Sequence, residues 1–349
     1  LEARASTLAS KLNELRGEAS MAQLRDRVED LSGQLAGFPA VIEKLRREGY
    51  VYKSYLENKV QVLQEQWEGL GQRIDREAAQ QGRVLTLEVD KLQQRLSAMG
   101  ANLRENVVSA LERDVTTLEG KIDNAFSGFR GLFDTVESNA YQTERQLKSI
   151  QWTLEQVSEA TFRLRVDENV IEAVEAKYLT DGDDGPEGIL YLTDQRVLFE
   201  QKEDVATKKF LFVTTEKERV QELKLEAPIG AVEQAKPSER RKVLRKKELL
   251  ELTFGPQAPV TLALFQLKTD SEPWQGFIGR VISGDVDRER IGAAAPAGEE
   301  APSEEAPAPP EPSVAVPTAC PTCGAAITTE IVRGMKSISC EYCGTVMRL

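Results

Sequence analysis

The sequence predicts a multidomain α plus β fold: long antiparallel coiled-coil helices, a small β-barrel with a C-terminal capping helix, and a four-cysteine module at the C-terminus. Three observations predict it. No proline stands between Pro39 and Pro186, and apolar residues there recur at three- and four-residue spacings. Short β-rich runs follow from Gly188 to Phe265 and end in an amphipathic segment over residues 270–283. All four cysteines of the 349-residue chain lie within residues 320–343.

Residues 1–38 read as an N-terminal helix. Leu8, Leu12 and Leu15 share one face and, after a phase shift, so do Leu24, Val28, Leu31, Leu35 and Phe38. Gly37 and Pro39 end it, because glycine accepts a left-handed cap and proline cannot continue the ladder. Residues 39–161 then read as a coiled-coil helical hairpin. One seam runs through Ile42, Leu45, Gly49, Tyr52, Leu56, Leu63, Leu70 and Ile74, and another through Leu85, Val89, Leu92, Leu96, Met99 and Leu103. Leu118, Ile122, Ala125, Phe129, Leu132 and Val136 mark a third, and Leu147, Ile150, Leu154 and Val157 a fourth. Four-residue steps near Leu103–Leu111 and Asn139–Thr143 are stutters in this repeat. Residues 97–102 supply a turn that divides the region into nearly equal arms. The alternative is one continuous rod that dimerises.

Residues 163–284 read as the β domain. Two β-rich runs flank a polar turn, Thr193 to Arg196, which is a hairpin signal. Further strands are expected over 209–213, 220–225, 249–254 and 260–265. The helix after them gathers Trp274, Phe277, Ile278, Val281 and Ile282 on one face. The run Gly188, Leu190, Tyr191, Leu192, Thr193, Asp194, Arg196, Val197 and Phe199 resembles the second and third strands of GRAM and bacterial pleckstrin-homology-like domains. The closing helix with Trp274 fits that family too, and the chain as a whole resembles bacterial modular proteins with a coiled coil, such a domain and a C-terminal ribbon. The resemblance implies anionic-lipid binding, as in some members, or protein binding, as in many others. The loop ahead of the motif departs from the lipid-binding pattern. It carries Asp181, Asp183, Asp184 and Glu187, which repel a phosphate headgroup.

A basic cluster lies further on: Arg240, Arg241, Lys242, Arg245, Lys246 and Lys247. Such a run can dock on anionic lipid, phosphates or an acidic partner, or can simply be solvated. Residues 285–318 follow as an acidic Pro/Ala linker. Its glutamates, Glu299, Glu300, Glu304, Glu305 and Glu311, have no Lys or Arg among them, and its composition predicts disorder.

Residues 319–349 carry the metal signal. Cys320 and Cys323 form one CxxC pair, Cys340 and Cys343 a second, with Gly324 and Gly344 immediately after them. Two thiolates two residues apart grip one ion from a tight turn, and glycine lets the backbone turn away. Four thiolates close a tetrahedral site with no open position, so Zn2+ here is structural rather than catalytic. The module reads as a zinc ribbon, with a hairpin expected from residues 327–332 and 336–339.

Composition narrows the function. The chain has no histidine, the commonest general base and metal ligand, and no nucleophile or phosphate-binding motif is legible. A net charge of −12 argues against wholesale nucleic-acid binding, which displaces counterions with positive surface. The cysteines leave none over for a disulfide framework, which suits the cytoplasm. Leu1 in place of an initiator methionine leaves a removed leading segment open. The sequence therefore predicts a non-enzymatic oligomeric scaffold with protein partners, self-association and no small-molecule substrate. A peripheral protein on an anionic membrane surface is the first alternative, and a nucleic-acid-associated zinc-ribbon factor the second.

Overall fold

The computed structural model describes residues 1–100, 103–210, 213–242, 245–292, 337–340 and 346–348. The chain forms two compact units. One contains Leu1–Pro39, Glu57–Glu144 and Val314–Leu349; the other contains Ala40–Leu56 and Arg145–Ser313.

The helical unit draws on α1 (Glu2–Ala19), α2 (Ala22–Arg47), α3 (Tyr55–Met99) and α4 (Glu105–Glu159). α3 and α4 run antiparallel, with Lys121 2.7 Å from Glu88 and Arg95 2.6 Å from Asp114. The N-terminal helices lie along both. Lys11 meets Glu119 at 2.7 Å and Arg27 meets Glu137 at 2.6 Å, parallel to α4, while Arg25 meets Asp75 at 2.7 Å, antiparallel to α3. Exposed pairs of this kind contribute only about 0–1 kcal/mol each, so they report register more than stability. The stabilising part is the apolar interior of Leu12, Leu15, Leu63, Ile74, Val89, Leu111, Leu118, Ile122 and Phe133.

Two features differ from the expected first helix. It breaks at Ser20 and Met21, where Met21 takes φ 57° and is fully buried. A Cβ on Gly82 of α3 would stand 2.8 Å from the Ser20 carbonyl oxygen, so only glycine lets α3 pass this corner. The phase shift between Leu15 and Leu24 is the sequence trace of that corner. The second difference lies at Pro39, which the helix runs through to Arg47. Proline gives no N–H to the carbonyl four residues back. That carbonyl, of Leu35, instead accepts a 2.9 Å hydrogen bond from Gln64 Nε2. The helix survives because the orphaned acceptor has a donor on α3.

The second unit is built on one antiparallel sheet. Its strands are β1 (Val170–Tyr178), β2 (Glu187–Thr193), β3 (Arg196–Phe210), β4 (Val213–Pro228), β5 (Val232–Lys242), β6 (Arg245–Phe254) and β7 (Leu262–Leu267). Their order is β4-β3-β2-β1-β7-β6-β5. Among the described residues no ladder joins the outer strands β4 and β5. The β3–β4 hairpin is longer than expected. Its register sets Asp204 opposite Arg219 and Lys208 opposite Glu216, charged positions that carry no apolar period.

α5 (Glu272–Ser283) closes the domain, beginning after Ser271 and ending at Gly284 with φ 78°. Trp274 and Ile278 are buried, whereas Ile282 of the expected apolar face is 50% exposed. One face of the sheet holds the ring cluster of Tyr178, Phe199 and Phe265, with Tyr178 and Phe265 stacked at 4.9 Å. A second cluster gathers Phe162, Ile189, Tyr191 and Leu198, and the end of α4 covers it through Trp152 and Val157. Burial pushes the Tyr191 phenol up, beside the Glu200 carboxylate.

The polar residues of the motif are structural hubs. Arg196 donates to Glu168 at 2.8 and 2.5 Å, to Glu226 at 2.9 Å and to the Arg163 carbonyl at 3.0 Å. Thr193 donates to the same Glu168 at 2.7 Å. Asp194 accepts the Tyr52 hydroxyl at 2.7 Å and the Asn169 amide at 3.0 Å. A Cβ on Gly188 would fall 1.9 Å from the Glu200 carbonyl oxygen, so the cross-strand approach requires glycine.

Tyr52 belongs to a strap, residues 48–54, that interrupts the expected seam between α2 and α3. Gly49 takes φ 97° and Lys53 φ 52°, and Tyr50 and Tyr52 are both 1% exposed. Arg46 donates to the carbonyls of Tyr50, Tyr52 and Lys53. The Ser54 amide donates to the Glu289 carbonyl and the Ile291 amide to the Val51 carbonyl, each at 2.9 Å. Lys53 reaches Glu172 at 3.1 Å, and that carboxylate keeps the buried ammonium charged against its desolvation. Burial pushes the Tyr50 phenol up to about 12.

Separately, β8 (Ser337–Ser339) and β9 (Val346–Arg348) pair antiparallel.

Candidate anion-binding site

The six basic residues singled out from the sequence lie at one end of the β5–β6 hairpin. Its register sets Arg240 opposite Lys247, Arg241 opposite Lys246 and Lys242 opposite Arg245. The side chains of Arg241, Lys242 and Arg245 lie outside the described residues. Those of Arg240, Lys246 and Lys247 are described, and they divide by face, because strand residues alternate sides.

Lys246 shares a face with Glu239 and Glu248, which oppose each other one step further in. It reaches Glu248 at 2.8 Å and Glu239 at 3.2 Å, and those contacts raise its pKa. Lys246 in turn holds the Glu248 carboxyl below the usual range, aided by the Ser271 amide at the start of α5. This face neutralises itself.

Arg240 and Lys247 share the other face, and their counter-ion comes from another element. The β1–β2 loop turns tightly between Asp181 and Asp184, with Gly182 at φ 60°, and presents Asp183 at its corner. Arg240 Nη1 lies 3.0 Å from Asp183 Oδ1, and Lys247 Nζ lies 3.4 Å from Asp183 Oδ2. The next acid, Asp184, is held by Lys177 at 2.8 Å, and Lys177 followed by the Gly185 amide lowers its pKa. The loop that reads as a source of repulsion in the sequence is thus an ion-pair partner of the cluster. Sequence reasoning missed this contact. Its one trace is the opposite sign of two charge runs in a single predicted domain.

Among the four cysteines, Cys340 is buried. Cys320, Cys323 and Cys343, the linker glutamates, and the expected strand at 327–332 lie outside the described residues.

No protein-family model matches the chain, and no curated protein does. Solved structures similar to parts of it include the Vps36 N-terminal PH domain, at 16% identity over 35% of this chain and 85% of that one, with a TM-score of 0.22. The DH/PH domains of PDZ-RhoGEF in complex with GTP-γ-S-activated RhoA match at 11% identity over 80% of this chain and 95% of that one, TM-score 0.23. The DH/PH domains of p115-RhoGEF match at 12% over 76% and 93%, TM-score 0.22.

Proposed function

We propose that the chain is a non-enzymatic adaptor whose sheet unit is a pleckstrin-homology-like module that docks an anionic protein partner through the β5–β6 tip. The observation that carries this reading is the register at that tip, where three successive cross-strand pairs set cation opposite cation. Like charges directly opposite one another destabilise a sheet. Six cations at one turn of a chain with net charge −12 make a localised positive end, which steers and orients an anionic partner. The domain assignment is supported by a four-strand and a three-strand meander followed by a helix with buried Trp274, the layout the motif resemblance implies.

The helical unit serves assembly in this reading. Weak docking sites joined on one oligomer gain by effective concentration. The C-terminal module recruits a further partner around one structural zinc held by Cys320, Cys323, Cys340 and Cys343. Support for that site is the donor set itself, and the pairing of Ser337–Ser339 with Val346–Arg348, between which Cys340 and Cys343 fall in sequence.

Retention of the full chain on immobilised poly-glutamate, at low and physiological salt, tests the docking. Retention that weakens with salt, and is lost when all six cations are changed to glutamine, is the outcome required. Salt-insensitive retention, or retention by the neutralised variant, would sink the reading. The hairpin-end position of the cluster favours a second reading, an anionic membrane surface, to which each basic residue contributes about 1 kcal/mol. Co-sedimentation with phosphatidylserine vesicles but not neutral ones, without poly-glutamate retention, selects it.

A further inference from the structure

The geometry points to Asp183 as a built-in stand-in for the partner's carboxylate: it fills the Arg240–Lys247 fork in the free protein, and an acidic peptide segment must displace it to dock. This inference rests on the docking reading and adds a gate to it.

The fork has the shape of a two-point carboxylate site. Arg240 and Lys247 are directly opposite in the ladder, which sets their Cβ atoms about 5 Å apart on the same face. Their cationic ends take different oxygens of one carboxylate, Oδ1 at 3.0 Å and Oδ2 at 3.4 Å. Charge-assisted contacts to two oxygens at once carry geometric specificity as well as attraction. The structure therefore identifies the ligand chemistry by example, since the group in place is a side-chain carboxylate.

The contact is also made to be exchanged. Asp183 comes from a separate loop rather than from the hairpin, and the pair stays in contact with water, with Arg240 53% and Asp183 34% exposed. Exposed ion pairs of this kind are weak and weaken further with salt. A glutamate-rich segment brings several carboxylates to the six-cation tip, so it gains more contacts than Asp183 alone supplies. The opposite face of the hairpin differs. Lys246 is held there by Glu239 and Glu248 of its own two strands, whose backbones the ladder keeps beside it.

Asp183→Asn tests the gate, because it removes the competing charge and keeps the loop's shape. Binding of a fluorescein-labelled oligo-glutamate peptide to the full chain is read by anisotropy. The variant should bind about two- to five-fold more tightly, the range that the loss of one exposed ion pair allows. Arg240→Gln with Lys247→Gln should weaken binding, and in that background Asp183→Asn should give no gain, since the two changes act on one contact. Thermal melts of each variant show that the sheet unit is intact. Unchanged or weaker binding by Asp183→Asn overturns the gate. If the fork variant loses the peptide while Asp183→Asn gains nothing, docking stands and the gate falls. If neutralising all six cations leaves peptide binding intact, the docking reading itself fails and takes the gate with it. A gain seen only with phosphatidylserine vesicles overturns the peptide as ligand.

Discussion

Arg196 brings a guanidinium to a position where its side chain is 4% exposed, and Glu168, with a side chain 0% exposed, answers it. Burial pushes the Glu168 carboxyl up. Hydrogen bonds from Arg196, the Arg165 amide and Thr193 outweigh burial and hold its pKa below the ordinary value. A depressed carboxylate pKa contributes stability above the unfolded value of 4.5 and loses it as pH falls through the folded value. Glu168→Gln should therefore cost about 3 kcal/mol at neutral pH, because it leaves a buried charge without its main partner. It should also flatten the acid limb of the stability profile. Urea unfolding of both proteins across the acid range measures this, and parallel acid limbs would show that Glu168 is not the titrating group. Glu289 works with the opposite sign. Burial raises its pKa despite Arg280 and Lys53, so its share of stability falls as pH rises, and the difference between the two proteins isolates Glu168. The Thr193-to-Arg196 turn was legible in the sequence as a hairpin. What its polar residues hold was not, because Glu168 lies 28 residues from Arg196 and Tyr52 lies 142 residues from Asp194.

Helix α2 shows the same limit for a whole element. Its leucine spacing and the phase shift before Leu24 were readable, and the break at Ser20 and Met21 realises that shift. The stop at Pro39 was not realised, since the compensating donor, Gln64, is 29 residues away. Proline inside a helix leaves one carbonyl unserved, and local sequence cannot say whether another helix serves it. Gln64→Leu should cost about 1–3 kcal/mol by stranding the Leu35 carbonyl. Pro39→Ala restores the missing amide donor, so in that background the same Gln64 change should cost much less. A double-mutant cycle by thermal unfolding reads the coupling directly, and additive costs would mean that the Gln64 contact does not compensate the proline. Of the β3–β4 arm, strands were expected over 209–213 and 220–225, and the charged remainder was missed for a different reason. Alternating Lys, Glu and Asp residues carry no apolar period, so pairing there is visible only from the register.

At the scale of the whole chain, charge and cysteine are segregated. The net charge of −12 coexists with six cations at one hairpin end, and every cysteine lies in the last thirty residues. Histidine is absent, so a thiolate metal site can draw on no imidazole ligand. Among the described residues, no group of three or more His, Cys, Asp or Glu is arranged to hold a metal ion. The cores of the helical and sheet units are built mainly from apolar side chains. If the proposed ribbon is a metal module, a four-cysteine segment this short depends on its ion to fold, and the binding energy is folding energy. Chelation of the full chain should then release one zinc and expose four thiols together, with the helical far-ultraviolet signal unchanged. A chromophoric zinc indicator, thiol titration and circular dichroism on one sample follow the three quantities. Thiols that react before the chelator is added would remove the metal site from the proposal. Loss of helix on chelation would mean that the metal supports the bundle as well as the ribbon, and the tethered-module reading would have to give way to a zinc-dependent helical core.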